Sequence, residues 1–259
     1  MSTQPRHRMP AIQVIALTKS HNGTRVLDNV SFEVAAGEFV AVLGPSGAGK
    51  TTLFRCLTRL VKADGGQIVV NGRSLHTIQG RQLRAARRDI SLIFQQFNLI
   101  RRMTAIENVL AGRLAFVPTW RVLLRRFSFP DRQLALASLD RVGLLAQAYQ
   151  RADSLSGGQQ QRVAIARVLA QQSRCVLADE PVASLDPEAA ASVLETLRAI
   201  AHERHIAVLC SLHQVDLATR FADRIIGLQA GRVVADVPAA HLSQDEHTRI
   251  YRAELMARQ

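Results

Sequence analysis

No stretch of this chain approaches the roughly 18 to 20 continuous apolar residues that a membrane-crossing helix needs, although hydrophobic residues make up 47% of its 259 positions. The opening segment, Met1 to Pro10, is polar and basic and lacks the apolar core of a secretory signal. The chain is therefore expected in the cytoplasm, and any membrane role must come from docking onto other chains. Cysteine is scarce. Cys56, Cys175 and Cys210 are odd in number and form no CxxC pair, which argues against a disulfide framework and a zinc site. Cys175 and Cys210 lie in apolar runs, where cysteine behaves as a small buried hydrophobe. Acidic residues are outnumbered 33 to 21 by basic ones, for a net charge of +12. Arginines cluster at Arg81, Arg84, Arg87 and Arg88, at Arg101 and Arg102, and at Arg121, Arg125 and Arg126. Aromatic residues are only 5% and no nucleic-acid motif accompanies the arginines. No direct nucleic-acid partner is expected; a solvated face, or proximity to anionic lipid headgroups, suits the charge better.

What is there is an alternation of strands and helices. Ala11 to Leu17, Asn29 to Val34, Glu38 to Leu43, Gln67 to Val70 and Ile90 to Phe94 read as strands, and Thr51 to Leu60 as a helix. Gly65-Gly66 reads as a turn, and Asn71-Gly72 as a hairpin-type turn. From Thr104 to about Ala170 the pattern is mostly helical. Thr104 and Glu107 form a capping-box pair, and Asp131 to Val142 is a helix stopped by Gly143. Val117 to Phe129, basic and aromatic between Pro118 and Pro130, reads as an insertion. Strands return at Cys175 to Ala178, Ile206 to Cys210 and Arg224 to Leu228, with a long helix opened by Asp186-Pro187 and a C-terminal helix from Ala239. There is no internal repeat or low-complexity tract. The fold class is α/β, a largely parallel sheet covered on both faces and interrupted by helices.

Gly44-Pro45-Ser46-Gly47-Ala48-Gly49-Lys50-Thr51 fits GxxxxGK[ST], between an apolar strand and a helix. Glycines let several backbone N–H groups approach a triphosphate closely, and the helix that follows points its positive end at the same spot. In that reading Lys50 reaches the β- and γ-phosphates and the Thr51 hydroxyl ligates Mg²⁺. Cys175 to Glu180 reads CVLADE, so Asp179 is the metal-binding acid at a strand end and Glu180 can orient or deprotonate a water. On its own this segment is equally a strand running into a polar loop. Ser156 and Gln159 make another capping-box pattern, but capping does not call for the adjacent Gly157 and Gly158. Their exposed N–H groups imply a second phosphate-facing surface.

These motifs resemble those of the ABC ATPases. Leu155 to Arg162, LSGGQQQR, is similar to that family's signature sequence, Gly44 to Thr51 to its Walker A, and Cys175 to Glu180 to its Walker B. Gln95, with Gln96 beside it, resembles the Q-loop glutamine at the metal site; Ser184-Leu185-Asp186 the D-loop; His213 the switch histidine that contacts the γ-phosphate. The resemblance runs from Ala11 to about Asp236. It implies a P-loop NTPase core with a mainly parallel sheet (residues 11–95 and 165–238), an N-terminal antiparallel β region, an inserted α-helical subdomain (96–164) and a C-terminal helix (239–259). It also implies ATP and Mg²⁺, with Thr52 completing the phosphate loop, and Glu180, His213 and Gln95 catalytic. Where many members stack an aromatic on adenine, this chain has His21, a departure that leaves the base contact weaker. The family pattern further implies a homodimer in which Ser156, Gly157, Gly158 and Gln159 close over the partner's ATP. Two transmembrane permease subunits and, indirectly, an extracytoplasmic solute-binding protein would complete the assembly, with this chain on the cytoplasmic face of a bacterial inner membrane. The stretch from Asn108 to Gly143, together with LHQVDLA and ADRIIGL, looks like the ATP-binding subunit of phosphonate importers. The alternatives are an importer ATPase for another small solute and an ABC ATPase acting on nucleic acid.

Overall fold

The computed structural model describes residues 10–94, 98–124 and 126–257. An antiparallel sheet contains β1 (Ile12–His21), β2 (Thr24–Val34), β4 (Gly65–Val70) and β5 (Arg73–Ser74), in the order β2-β1-β4-β5. The second sheet is built from β3 (Phe39–Leu43), β6 (Ile90–Ile93), β7 (Cys175–Asp179), β8 (Ala207–Leu212) and β9 (Arg224–Gln229). These run parallel in the order β9-β3-β8-β7-β6, and β10 (Arg232–Pro238) adds antiparallel to the outer edge of β9. The strands β3, β7 and β8 are buried along their whole length, as their unbroken apolar sequences require of a sheet covered on both faces.

The period of two in a strand divides the core. Phe39, Ala41 and Leu43 face a cluster that continues through α3 (Ala105–Leu110), α5 (Phe129–Arg141), α6 (Gly157–Gln171), α7 (Pro187–Arg204) and α8 (Val215–Phe221). Val40 and Val42 face the other cluster, which joins α1 (Lys50–Leu57) to the antiparallel sheet. Each fully buried Leu or Phe in these clusters contributes roughly 1.5–3 kcal/mol. The chain thus places β3, the carrier of the glycine-rich loop, between two separate packing layers. Its neighbours β8 and β9 lie on opposite sides, which makes the carboxyl end of β3 a topological switch point.

Several expectations are revised. Gly65-Gly66 is the start of β4 and not a turn. It faces the irregular part of β1, where Ala16 has φ 48°, and a side chain at Gly66 (φ 84°) would meet the Ala16 carbonyl. The helix α2 (Gly80–Arg88), an arginine-rich segment with Ala86 its one buried residue, and the strand β10 add to the elements expected from sequence. Only a 3-10 turn forms at Ala239–His241, and the C-terminal helix α9 begins later, spanning Gln244–Ala257. The basic insertion holds a five-residue helix, α4 (Thr119–Leu123), with no buried residue. Asn71 and Gly72 both have positive φ (48° and 75°), and they join β4 to β5 as the hairpin turn requires.

The helical layer is pinned at one end by Asn108, which is 1% exposed. Its Oδ1 accepts from the Ile100 N–H at 2.8 Å, and its Nδ2 donates to the carbonyls of Thr104 and Ile100 at 3.0 and 3.2 Å. Thr104 closes the expected capping box with Glu107 at the start of α3. Asn108→Ala would orphan these buried loop groups. The substitution should lower unfolding stability by about 1–3 kcal/mol, read as a reduced urea midpoint at unchanged slope.

Candidate functional site

The loop from Gly44 to Gly49 leaves the carboxyl end of β3 and runs into α1. Gly49 has φ 103°, and a side chain there would come within 2.8 Å of the Val26 carbonyl, so the loop can turn into the helix only with glycine. Lys50 is 4% exposed and folds across the loop, where its ammonium donates to the Gly44 and Pro45 carbonyls at 2.6 and 3.2 Å. A cavity of about 260 Å³ opens here, lined by Pro45 through Thr52, by Glu180 and by Val26. The sequence therefore located the loop, and the structure adds Val26 as its side wall. His21 is not among the residues lining this cavity. It ends β1 opposite Thr24, exposed to solvent.

Beside the loop, β7 ends in Asp179, whose residue is only 8% exposed. Burial pushes its carboxyl above the usual range, the neighbouring Glu180 charge adds to this, and hydrogen bonds from Ser211 and Thr51 work against it. The Ser211 hydroxyl donates to Asp179 Oδ1 at 2.8 Å and accepts the Glu180 N–H, also at 2.8 Å. One hydroxyl on β8 thus fixes both acids at the end of β7. Ser211 was not expected from sequence. The only signal is a lone hydroxyl within the apolar run of β8. Glu180 has a left-handed backbone (φ 50°), and its carboxylate meets His213 Nε2 at 2.6 Å. His213, just past the end of β8, is thereby brought to the same cluster.

The chemistry of this donor set fits Mg²⁺. The buried Asp179 carboxylate and the neighbouring Thr51 hydroxyl supply hard oxygens beside the glycine-rich loop. No trio of His, Cys, Asp and Glu gathers into a metal cage among the described residues. Mg²⁺ is usually held by one or two protein groups together with phosphate oxygens and water, which asks for no such cage. The three thiols take no part: all are buried, and burial pushes Cys56 to about 11 and Cys175 to about 12.

A second surface lies at the start of α6. Ser156 caps the helix, accepting from the Gln159 N–H while the Gln159 side chain accepts the Ser156 N–H at 2.9 Å. Gly157 and Gly158 follow, and with Arg162, Ser184, Leu185 and Asp186 they line a cavity of about 480 Å³. Asp186 caps α7 by accepting the Ala189 N–H at 2.9 Å. This cavity shares no lining residue with the one at the glycine-rich loop. Gln95 and Gln96 lie outside the described residues.

Residues 27–183 match the family described as ABC transporter. The chain belongs to that family. Over 241 residues it is 52% identical to the hypophosphite import ATP-binding protein HtxD of Stutzerimonas stutzeri, spanning 93% of this chain and 71% of that protein. It is 46% identical over 244 residues to the phosphonates import ATP-binding protein PhnC 2 of Oceanobacillus iheyensis, spanning 94% of this chain and 96% of that one. Among solved structures, MJ0796, a bacterial ABC transporter cassette seen as a dimer, superposes with a TM-score of 0.78 at 33% identity over 89% of this chain.

Within this ABC ATPase, Ser211→Ala removes a donor from a carboxylate that burial has already pushed up, so protons compete better for Asp179. The Mg²⁺ concentration for half-maximal ATP hydrolysis, measured at one fixed pH, should rise about tenfold, the size of one lost hydrogen bond to a carboxylate. An unchanged Mg²⁺ curve would detach Ser211 from the metal site.

Proposed function

We propose that this chain is the ATP-hydrolysing subunit of an importer for phosphorus oxyanions, phosphonate first, and that it works as a homodimer. One observation carries the dimer. The chain has two phosphate-facing surfaces that share no residue, the loop at Gly44 to Thr51 and the helix start at Ser156 to Gln159. Each surface leaves half of a nucleotide's shell open, and two copies facing each other complete both. The dimeric form of MJ0796 supports this arrangement.

In such a site the loop N–H groups and the start of α1 receive the phosphates, and Lys50 leaves its carbonyl partners to neutralise the β- and γ-oxygens. Thr51, Asp179 and Gln95 would hold Mg²⁺, which supplies charge to the phosphates. Glu180 orients a water against the γ-phosphorus. The bond from water oxygen to phosphorus forms as the bond to the β–γ bridging oxygen breaks, giving ADP and phosphate, and the water's proton passes toward the Glu180 carboxylate. His213, already bonded to Glu180, holds that carboxylate in place and faces the departing phosphate. Ser156, Gly157, Gly158 and Gln159 of the second copy, with Ser184, Leu185 and Asp186 beside them, seal the site. Loss of the bridging phosphate then lets the copies separate.

No helix among the described residues is long and apolar enough to cross a membrane. A groove of about 660 Å³ in the helical layer, lined by Ile100, Ile106, Leu110, Leu114, Phe127 and Leu136 among others, offers an apolar seat for a helix of a permease subunit. Phe129, which also lines the groove, is 74% exposed, and α4 carries the exposed Trp120 and Leu123 at 57% and 84%. Two permease subunits would carry the dimer on the cytoplasmic face of the membrane and pass its opening and closing to an external solute-binding protein. The phosphorus substrate rests on the relatives: HtxD is named for hypophosphite and PhnC 2 for phosphonates. Hypophosphite is therefore the second reading.

Two measurements test this. Glu180→Gln should bind ATP yet lose about 10²–10⁴-fold in hydrolysis, the range of a general base. A deletion strain should fail to grow on an alkylphosphonate as sole phosphorus source and be rescued by wild type but not by Glu180→Gln. Normal growth on phosphonate and failure on hypophosphite would select the second reading. Leu114→Glu, in the groove and away from both nucleotide surfaces, should keep the ATPase activity of the isolated subunit and abolish the rescue. Full rescue by this variant would remove the groove from permease docking.

A further inference from the structure

The C-terminal helix α9 reaches the catalytic cluster through the side chain of Tyr251. Its start is fixed by Ser243 and Glu246, with the Ser243 N–H and hydroxyl donating to the Glu246 carboxylate at 2.8 and 2.9 Å. Its middle is fixed by Ile250, which is fully buried against β9. There Gly227 has no side chain to interfere: a Cβ at that position would stand 2.4 Å from Ile250 Cγ1. One residue on, the Tyr251 ring lies 5.1 Å from the His247 ring, and its hydroxyl donates to the backbone carbonyl of His213 at 3.1 Å. The imidazole of that same His213 meets the Glu180 carboxylate at 2.6 Å.

His213 occupies a short link, with β8 ending at Leu212 and α8 starting at Val215. A link so short has little to fix it beyond its two ends, and a rotation of one peptide would swing the imidazole away from Glu180. The strand secures the entry to the link. The Tyr251 hydroxyl secures the peptide of His213 itself, from an element that is anchored independently on β9 and β10.

We propose that Tyr251 is a positioning residue for ATP hydrolysis. It holds the His213 peptide so that the imidazole keeps Glu180 aimed at the attacking water, and it thereby ties the C-terminal helix to the chemical step. This rests on the ATPase reading given above. Tyr251 touches neither nucleotide surface, so its contribution should enter through kcat while the affinity for ATP stays as it is.

The test uses the full-length purified chain. Tyr251→Phe keeps the ring and its packing and removes only the hydroxyl. It should lower kcat about tenfold, the size of one lost hydrogen bond, with the KM for ATP unchanged and the thermal midpoint within about 5 °C of wild type. Ile250→Ala, which loosens the anchor, should lower kcat in the same direction and also lower the thermal midpoint. A helix that merely covers the core predicts the opposite split: Tyr251→Phe would hydrolyse ATP within twofold of wild type. That result, or a rise in KM with kcat preserved, overturns the assignment. Wild-type protein that binds ATP without hydrolysing it would overturn the ATPase reading and this inference together, so the two failures are told apart by the wild-type rate.

Discussion

A carboxylate buried at the end of a fully apolar strand is the constraint on which the site depends. Asp179 is largely out of water, and desolvation pushes its carboxyl above the usual range. What opposes this is a set of groups drawn from separate elements: Ser211 from β8, Thr51 from α1, and Lys50 from the loop mouth. The parallel order of β3, β8 and β7 is what brings these three carboxyl ends together, and the two cores on either face of the sheet hold that order. Burial also gives the arrangement its use. A charge that the protein only partly satisfies becomes a strong attractor for a hard cation arriving with a nucleotide.

The same economy appears in the pairing of Glu180 with His213. The Glu180 N–H is held by the Ser211 hydroxyl, and its carboxylate is held by the imidazole. Backbone and side chain are thus fixed from the same strand, one before and one after its end. The left-handed φ of Glu180 is a conformation that non-glycine residues adopt at a cost of about 1–2 kcal/mol, sustained here by both contacts. Strain of this kind at a candidate water-orienting acid is the expected signature of a group whose direction matters more than its comfort.

The sequence made the loop, the capped helix starts and the alternation of layers legible because each follows a local rule. A glycine-rich loop between strand and helix, Asp186 before Pro187, and Thr104 three residues before Glu107 can all be read without knowing what lies across from them. Other features depend on partners distant in the chain. Ser211 looks like a small residue in an apolar strand until β7 is laid beside it. Val26 and His21 cannot be told apart as neighbours of the loop, because the register of β1 against β2 shifts at several points and alternation no longer tells which side chain faces where. The strand β10 is half exposed with a broken pattern, and it exists because β9 offers it an edge.

The transported solute, by contrast, has no counterpart in the site. In the proposed mechanism the glycine-rich loop, Asp179, Glu180 and the start of α6 would all address phosphates of a nucleotide, whatever the importer carries. What can differ among importer ATPases is the surface that meets the permease. The stretch from Asn108 to Gly143, where the resemblance to phosphonate importers lies, supplies the end of α3, all of α4 and α5, and most of the wall of the apolar groove. If the groove seats a permease, as proposed above, resemblance in substrate and resemblance in this wall would share one physical origin. The exposed Trp120, Leu123 and Phe129, beside Arg121 and Arg132, give that stretch both an apolar and a cationic component. In the proposed docking, shape and charge at this surface, which shares no residue with either nucleotide-facing cavity, would supply the specificity for the partner.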